Sequence, residues 1–187
     1  MFQELLEREF APYGSLTTGQ LNLLEAHYKL LGQWNTRLNL TRIGSLEEAL
    51  RLHYCESLFV ATKLPAGSLA IADVGSGAGF PGIPIAILRP ECTVTLVESH
   101  RRKSVFLREA TRDIRNIQVV TSRAENLEAE FDWVVSRAVS PADVIKLRIS
   151  NNFALLVGGE EALGFKRRER IPWGTSRFLT FHVKQSC

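Results

Sequence analysis

The stretch LAIADVGSGAGFPG, residues 69–82, decides the fold of this chain. Its first part, from Leu69 to Val74, is apolar and β-branched, which predicts a short buried strand. Gly75, Gly77 and Gly79 leave the following turn without side chains, so the backbone can bend tightly and approach a ligand closely. A strand that leads into a glycine-rich turn and then a helix is typical of nucleotide-binding α/β folds, whose ligands lie at the carboxyl ends of the strands.

The spacing of the glycines narrows the choice of ligand. A dinucleotide fingerprint, GxGxxG, needs its third glycine at position 80, where the chain has Phe80. A P-loop needs Gly-Lys-Ser/Thr, and no lysine occurs between Lys63 and Lys103. The remaining pattern, D-x-G-x-G-x-G beginning at Asp73, resembles the first motif of class I S-adenosylmethionine-dependent methyltransferases. A βα turn with a purely structural role is the alternative interpretation.

A carboxylate follows the next predicted strand. Residues 93–97 predict this strand, which ends at Glu98, 19 residues after Gly79. In nucleotide-binding α/β folds, a carboxylate about 20 residues beyond the glycine turn accepts hydrogen bonds from the ribose hydroxyls. We therefore expect Glu98 to hold the ribose of an adenosine-containing cofactor, with capping of the following helix as the alternative.

Two more predicted strands end beside these groups. Residues 117–121 predict the third strand, and Ala124 and Glu125 follow it where the adenine ring would lie. Residues 131–135 predict the fourth strand, which leads into Arg137. Because the carboxyl ends of parallel strands share one edge of a sheet, we expect the four strand ends to face one pocket.

The predicted elements indicate an α/β fold with a helical N-terminal part. Residues 1–64 are expected to form three helices, two of which begin at the capping-box spacings of Thr17 and Ser45. From residue 65 onward strands and helices alternate, which indicates a doubly wound, mostly parallel, Rossmann-like sheet. The resemblance to class I methyltransferases implies seven strands. We predict an N-terminal helical extension, residues 1–64, packed on a Rossmann-like methyltransferase domain, residues 65–187.

Composition limits the class of protein. The 187 residues are 45% hydrophobic, which supports one core, and the formal net charge of +3 permits an acidic partner. No stretch approaches 18 consecutive apolar residues and the N-terminus is acidic, so we expect no membrane span, no secretory signal and a cytoplasmic location. The odd cysteine count favours reduced thiols, and neither cysteines nor histidines show metal-ligand spacing, so no metal is expected. The cysteines are Cys55, Cys92 and Cys187.

Basic residues form two groups in the sequence. The predicted helix after Glu98 carries arginines at intervals of seven, four and three, which predicts one shared helical face. These residues are Arg101, Arg108, Arg112 and Arg115. The second group is Lys166, Arg167, Arg168 and Arg170. The functional interpretation is a surface that contacts RNA phosphates, which positions a nucleic acid without reading its sequence. An ordinary solvated surface is the alternative.

Four features together resemble the RsmG (GidB) family of bacterial small-subunit rRNA methyltransferases. They are WNTRLNLT at residues 34–41, HYCES at 53–57, DVGSGAGFPGIP at 73–84, and the SRA triplets at 122–124 and 136–138. The resemblance implies transfer of a methyl group from S-adenosylmethionine to N7 of one guanine in 16S rRNA.

The resemblance also implies roles for individual residues. The family's cofactor positions fall on Gly75, Phe80, Ala124, Glu125 and Arg137, which join Asp73, Gly77, Gly79 and Glu98 as expected cofactor contacts. Arg123 and Arg137 are the expected catalytic residues. Arg101, Arg108, Arg112 and Arg177 are the expected RNA contacts.

The chain departs from the family pattern after its fifth predicted strand. The sequence ALLVG at residues 154–158 lacks the lysine that precedes glycine in the family, and the region that follows is short. The resemblance therefore implies nothing about RNA contacts in residues 154–176.

The motifs that are missing agree with chemistry at guanine N7. This atom carries an in-plane lone pair and no proton, so its attack on a sulfonium methyl needs no general base. The sequence has neither the Asn/Asp-Pro-Pro-Tyr motif of exocyclic-amine methyltransferases nor the Pro-Cys pair that attacks pyrimidine C6. We expect catalysis to rest on alignment, with Arg137 gripping the methionine carboxylate or an RNA phosphate. Phe80 and Arg137 are candidates for stacking on an extruded base, and burial in the core is the alternative for Phe80.

Three other functions remain open from the sequence. A small-molecule methyltransferase would share the pocket but would not need the arginine surface. An NAD-linked dehydrogenase would bind nicotinamide, against the mismatch at Phe80. A non-catalytic ribosome-binding relative would bind RNA with little affinity for the cofactor. No heptad pattern is present, so we expect a monomer. The resemblance to the RsmG family implies that this monomer acts on the small ribosomal subunit.

Overall fold

The computed structural model describes residues 1–42 and 44–184, and Cys187 lies outside them. Seven strands form one sheet. Their bounds are β1 Ala70–Val74, β2 Thr93–Val97, β3 Ile117–Val120, β4 Trp133–Arg137, β5 Asn152–Gly158, β6 Arg167–Arg170 and β7 Arg177–Val183. The spatial order is β3-β2-β1-β4-β5-β7-β6, with β7 antiparallel to both of its neighbours. The predicted α/β fold with a mostly parallel sheet is confirmed.

The strand order reverses beside β1. From β1 the chain moves outward to β2 and β3, and then returns to place β4 on the other side of β1. Crevices at such a reversal, outside the carboxyl ends of the strands, are where open α/β sheets bind their ligands. The fold therefore places the glycine turn after β1 and Arg137 at the end of β4 on the two sides of one crevice.

The helical elements surround this sheet. Their bounds are α1 Phe2–Phe10, α2 Thr18–Leu38, α3 Leu46–Ala49, a π-helical segment Leu50–Cys55, α4 Glu56–Lys63, α5 Gly82–Leu88, α6 Arg101–Ala110, α7 Pro141–Val144 and α8 Gly159–Ala162. The predicted start of α2 is confirmed: Thr17 and Gln20 exchange side-chain to backbone hydrogen bonds of 3.3 and 2.9 Å. Ser45 caps α3 by accepting a hydrogen bond of 3.1 Å from the Glu48 N–H.

The predicted third helix runs without a break from Leu46 to Lys63, but its middle part is π-helical. Between α3 and α4 the chain forms the π segment, residues 50–55, in which His53, Tyr54 and Cys55 are all buried. A π turn shifts the direction of later side chains, and apolar spacing alone does not reveal such a shift. Burial raises the pKa of the Cys55 thiol to about 12, as fits a reduced core cysteine.

The prediction of one helical face for four arginines is wrong. Helix α6 ends at Ala110, and the Thr111 hydroxyl turns back to donate a hydrogen bond of 2.8 Å to the Leu107 carbonyl. Arg112 and Arg115 therefore lie in the turn that leads to β3. Local side-chain to backbone bonding by threonine competes with continuation of a helix.

The edges of two other elements also differ from the sequence prediction. Strand β4 begins at Trp133 rather than Phe131, because the Phe131 N–H donates a hydrogen bond of 2.7 Å to the Ile149 carbonyl, outside the β4 ladder. At its other end the strand includes Arg137. The basic residues 167–170 form β6, an exposed edge strand. Charged side chains on such an edge oppose pairing with another sheet.

The two faces of the sheet are covered differently. Helices α1, α2, α4, α5 and α6 cover one face, where Phe10, Tyr54 and Phe106 are fully buried. The described residues cover the other face with the short helices α7 and α8 and with connecting segments around Phe153. No helix within residues 1–42 and 44–184 is long and apolar enough to cross a membrane.

His27 links the N-terminal helices to the glycine turn. Its Nδ1 lies 2.9 Å from the Tyr54 hydroxyl, and its Nε2 lies 3.0 Å from the carbonyl of Ala78. Because the ring is completely buried, the pKa of His27 is lowered to about 4. The neutral ring thus joins α2, the π segment and the turn after β1.

We predict that the His27→Gln variant is less stable than the unaltered protein at neutral pH, and that this difference in stability becomes smaller in acid. Below pH 6.5 the unfolded chain protonates His27, whereas the folded chain resists protonation down to about pH 4, so this residue's contribution to stability falls between those values. The deficit of the variant in the free energy of unfolding should shrink by about 2 kcal/mol between pH 7.5 and pH 5. Urea unfolding at the two pH values measures it, and equal deficits would contradict the assignment.

Candidate active site

The glycine turn after β1 has a backbone that requires glycine. Gly75, Gly77 and Gly79 all have positive φ, at 73, 56 and 91°. A Cβ atom on Gly75 would lie 2.5 Å from Cγ2 of Val139, and one on Gly79 would lie 2.3 Å from Cδ1 of Ile83. Real Cβ atoms do not approach other carbons so closely, so a side chain here would displace the turn.

A cavity of about 240 Å³ lies directly over this turn. The loops that follow β1, β2, β3 and β4 all contribute to it. The lining residues are Val74, Gly75, Val97, Glu98, Ser99, Ser122, Arg123, Ala124, Glu125 and Val139. The structure therefore brings together four of the nine predicted cofactor residues, Gly75, Glu98, Ala124 and Glu125, at the shared edge of the strand ends. We call it the first cavity.

Glu98 supports the turn from the end of β2. Its Oε2 accepts a hydrogen bond of 2.9 Å from the Gly77 N–H, and its Oε1 accepts one of 2.8 Å from the His100 N–H. Each carboxylate oxygen can accept a further hydrogen bond, so Glu98 can hold the turn and also receive ribose hydroxyls.

Asp73 does not line the first cavity, in contrast to the sequence prediction. Its side chain is fully buried beneath the turn, and its Oδ2 accepts a hydrogen bond of 3.0 Å from the Gly82 N–H at the start of α5. Burial raises the pKa of Asp73 to about 7, against the hydrogen bond from Gly82, which lowers it. The site residues predicted from the sequence do not include Gly82, yet this position requires glycine. A Cβ there would lie 2.6 Å from that same oxygen.

Phe80 is a support and not an open stacking surface. The ring is only 2% exposed and stacks on His53, with centroids 4.7 Å apart and an interplanar angle of 22°. The Arg137 guanidinium also lies over the Phe80 ring, 5.1 Å from its centroid. Protein side chains therefore cover the ring, and it is not open to a stacked nucleobase.

A second cavity, of about 490 Å³, adjoins the first and shares Val139 with it. Its walls come from the π segment and from the residues that follow β4 and β5. The lining residues are Thr41, Arg42, Leu52, His53, Arg137, Ala138, Val139, Ser140, Leu156, Val157, Gly158, Glu161 and Arg177. The described lining residues of this second cavity include three arginines and one carboxylate, Glu161.

Arg137 stands at the boundary between β4 and the π segment. Its Nη1 donates hydrogen bonds of 2.9 Å to the Leu52 carbonyl and 2.6 Å to Nδ1 of His53. Burial lowers the pKa of Arg137 to about 10, partly offset by the negative charge of Glu56, so the side chain is cationic at neutral pH. The π segment thus fixes one edge of the guanidinium.

The contact with Arg137 determines the tautomer of His53. A guanidinium can only donate, and its 2.6 Å contact with Nδ1 of His53 is shorter than the 3.1 Å between Nδ1 and the Leu52 carbonyl, so we assign Nδ1 as the acceptor and the ring proton to Nε2. That nitrogen then donates to the Thr41 hydroxyl, 2.7 Å away. Burial, assisted by the charge of Arg137, lowers the pKa of His53 to about 2. The ring therefore stays neutral and cannot act as an acid near neutral pH.

Arg177 is paired with a buried carboxylate, so the structure does not present it as a free RNA contact. Its Nη2 donates a hydrogen bond of 2.8 Å to Oε2 of Glu56, and its Nε forms an ion pair with Oε1. Glu56 is fully buried, and burial raises its pKa while Arg177 opposes the rise. The sequence segment HYCES contained both Glu56 and His53 but gave no sign of these partners.

The other expected RNA contacts lie on the surface. Arg101 and Arg112 are exposed, as is Arg123, one of the two expected catalytic residues. Arg108 is also exposed, and its Nη2 donates a hydrogen bond of 2.6 Å to the Thr121 hydroxyl. Arg123 lines the first cavity, whereas Arg101, Arg108 and Arg112 do not.

Comparison with known proteins decides the family. The family model described as rRNA small subunit methyltransferase G, GidB, matches residues 20–166. The chain belongs to the GidB family. The curated ribosomal RNA small subunit methyltransferase G of Methylobacillus flagellatus is 45% identical over 121 residues, covering 63% of this chain and 58% of that protein. The protein of the same name from Chromobacterium violaceum is 42% identical over 137 residues, covering 71% of this chain and 65% of that protein.

This GidB chain spans about three fifths of the length of those curated relatives. Its fold is also that of a SAM-dependent methyltransferase from Aquifex aeolicus, with a TM-score of 0.56 and 15% sequence identity. That match covers 73% of this chain and 92% of the Aquifex protein. The predicted fold class, a class I methyltransferase sheet with a helical extension, is confirmed.

We predict that Arg177→Leu destabilises the protein by about 2 kcal/mol, because it leaves the buried Glu56 without a partner. Removing one partner of a fully buried ion pair costs roughly 3–5 kcal/mol. We expect a smaller loss here because the Arg177 side chain is 36% exposed. The double variant Glu56→Gln/Arg177→Leu should recover most of the loss. Urea unfolding tests both, and a double variant as unstable as the sum of its single changes would contradict the pairing.

Proposed function

We propose that this chain is an S-adenosylmethionine-dependent methyltransferase that modifies N7 of a guanine in small-subunit rRNA. The observation that carries the proposal is the pair of adjoining cavities. The first lies over the glycine turn, the second is lined by arginines, and Val139 separates them. Membership of the GidB family supports the reaction, and the names of the curated relatives support the rRNA substrate.

The first cavity has the groups that an adenosyl cofactor needs. Gly75 lacks the Cβ that would collide with Val139, Glu98 offers carboxylate oxygens to the ribose, and we expect the adenine beside Ala124 and Glu125. Bound S-adenosylmethionine would supply an electrophilic methyl group on a sulfonium centre. Asp73 and Phe80 act from beneath this cavity, Asp73 by anchoring α5 and Phe80 by supporting Arg137.

The residues of the second cavity would align the base. Guanine N7 is already a nucleophile, so no residue has to remove a proton before attack. Arg137 is held on one edge by the π segment and presents its remaining donors to the cavity. A fixed guanidinium can orient a substrate at no cost in reorganisation, and correct orientation contributes much of the rate of such reactions. Arg123, at the rim of the first cavity, is placed to contact the RNA or the cofactor.

Exposed arginines provide an electrostatic surface for the RNA. Arg101, Arg108 and Arg112 lie on α6 and the turn after it, next to the loop that carries Glu98. Such side chains would contact phosphates and contribute affinity that weakens with salt. We also propose that the protein acts as a monomer in the cytoplasm, where its ribosomal substrate is found.

The decisive test of the function is methyl transfer to small ribosomal subunits from cells that lack this protein. We expect labelled methyl from S-adenosylmethionine to appear at one guanine, which cleavage at 7-methylguanine would map. Binding of the cofactor without transfer to RNA would favour a small-molecule methyltransferase. Absence of both would favour a non-catalytic ribosome-binding relative.

A separate prediction concerns the cofactor. Gly75→Val should abolish binding of S-adenosylmethionine, since a side chain at φ 73° would collide with Val139 and displace the turn. Glu98→Ala should weaken binding at least tenfold by removing a ribose contact and a support of the turn. Gly32→Ala, where a Cβ meets nothing within 4 Å, is the control. Isothermal titration measures all three, and unchanged affinity in the Gly75 variant would overturn the assignment of the turn.

A further inference from the structure

The second cavity carries one negatively charged side chain among its described lining residues. This residue is Glu161, on α8 directly after β5, and it faces a cavity that also contains Arg42, Arg137 and Arg177. Glu161 is exposed and has no cationic partner within 4 Å among the described residues. Its Oε2 receives only a long contact of 3.4 Å from the Gly158 N–H. The carboxylate can therefore accept hydrogen bonds from a ligand.

Arg137 provides the complementary donors. Its Nη1 is occupied by the Leu52 carbonyl and by His53, but its Nε and Nη2 donate to no acceptor among the residues that the structure describes. A ligand that fits this cavity must offer an acceptor towards β4 and donors towards Glu161. The volume of about 490 Å³ is within the range of small-molecule pockets, about 300–1,000 Å³.

Guanine is the nucleobase with this arrangement of groups. Its O6 is an acceptor beside N7, while its N1–H and 2-amino group are adjacent donors on the Watson–Crick edge. A carboxylate can accept from both donors with its two oxygens, as in other bidentate pairs. Adenine has an acceptor at N1 and a donor at its 6-amino group, so it would oppose both Glu161 and Arg137. Ser140 and Thr41 also line the cavity, but a hydroxyl does not match two parallel donors.

We propose that the second cavity binds the extruded guanine, with Glu161 accepting from N1–H and the 2-amino group and Arg137 donating to O6. This inference rests on the proposed function and specifies how the substrate base is selected. This binding mode also sets the orientation of the guanine. Because β4 lies between β1 and β5, the edge with O6 and N7 faces Val139 and the first cavity, and the Watson–Crick edge faces Glu161.

The test uses small subunits reconstituted with either guanine or inosine at the mapped target position. Inosine keeps N7, O6 and N1–H but lacks the 2-amino group. Loss of one hydrogen bond to a carboxylate should lower kcat/KM of the unaltered protein about 10- to 100-fold on inosine. Glu161→Gln should lower kcat/KM on guanine at least 10-fold and bring the guanine-to-inosine ratio close to one.

Matched controls separate this role from folding and from the proposed function. Glu160→Gln changes the neighbouring exposed carboxylate, which does not line the cavity, and should keep both the activity and the base ratio. Affinity for S-adenosylmethionine should be unchanged in both variants. An unaltered base ratio in Glu161→Gln would overturn the inference while leaving the proposed function intact. Failure of the unaltered protein to methylate guanine would overturn the proposed function and this inference with it.

Discussion

The partly buried guanidinium of Arg137 is the constraint on which the site depends. A cation taken out of water needs acceptors on fixed backbone and side chains, because the loss of hydration is otherwise too costly. Here the Leu52 carbonyl and the neutral ring of His53 supply them, and the ring of Phe80 lies against the same charge. Since Arg137 ends β4 and its acceptors lie on the π segment, one charge joins the N-terminal helices to the edge of the sheet where the two cavities lie.

The two cavities depend on different physical features. The first depends on the glycine turn, because the positive φ of Gly75 and the absence of its Cβ let Val139 pack against the turn without a collision. The second depends on charge, because its arginines supply donors and Glu161 supplies an acceptor, with Arg137 held by the π segment. Val139 belongs to both walls, so a base in one cavity and a cofactor in the other would meet there. This arrangement requires neither a nucleophilic side chain nor a general base.

Much of the fold and part of the site could be predicted from sequence. The strands β1 and β2, the Thr17 cap and the convergence of Gly75, Glu98 and Ala124 follow from local patterns and from the parallel sheet. Other features depended on partners distant in the chain. Arg177 pairs with Glu56, 121 residues away in the chain, and Arg137 with His53, 84 residues away. No periodicity in the sequence contains that information.

The sequence by itself determined the glycine turn, its ligand class and the family, because those rest on backbone conformations and motifs that only certain residues permit. The tertiary structure decided which side chains reach the cavities. Asp73 and Phe80 stand in the motif but are buried beneath it, whereas Glu161 lies in the region where the sequence departs from the family and yet lines the second cavity. The physical reason is burial: whether a polar or aromatic group supports a site or meets a ligand depends on what packs over it, and the packing comes from other elements of the chain.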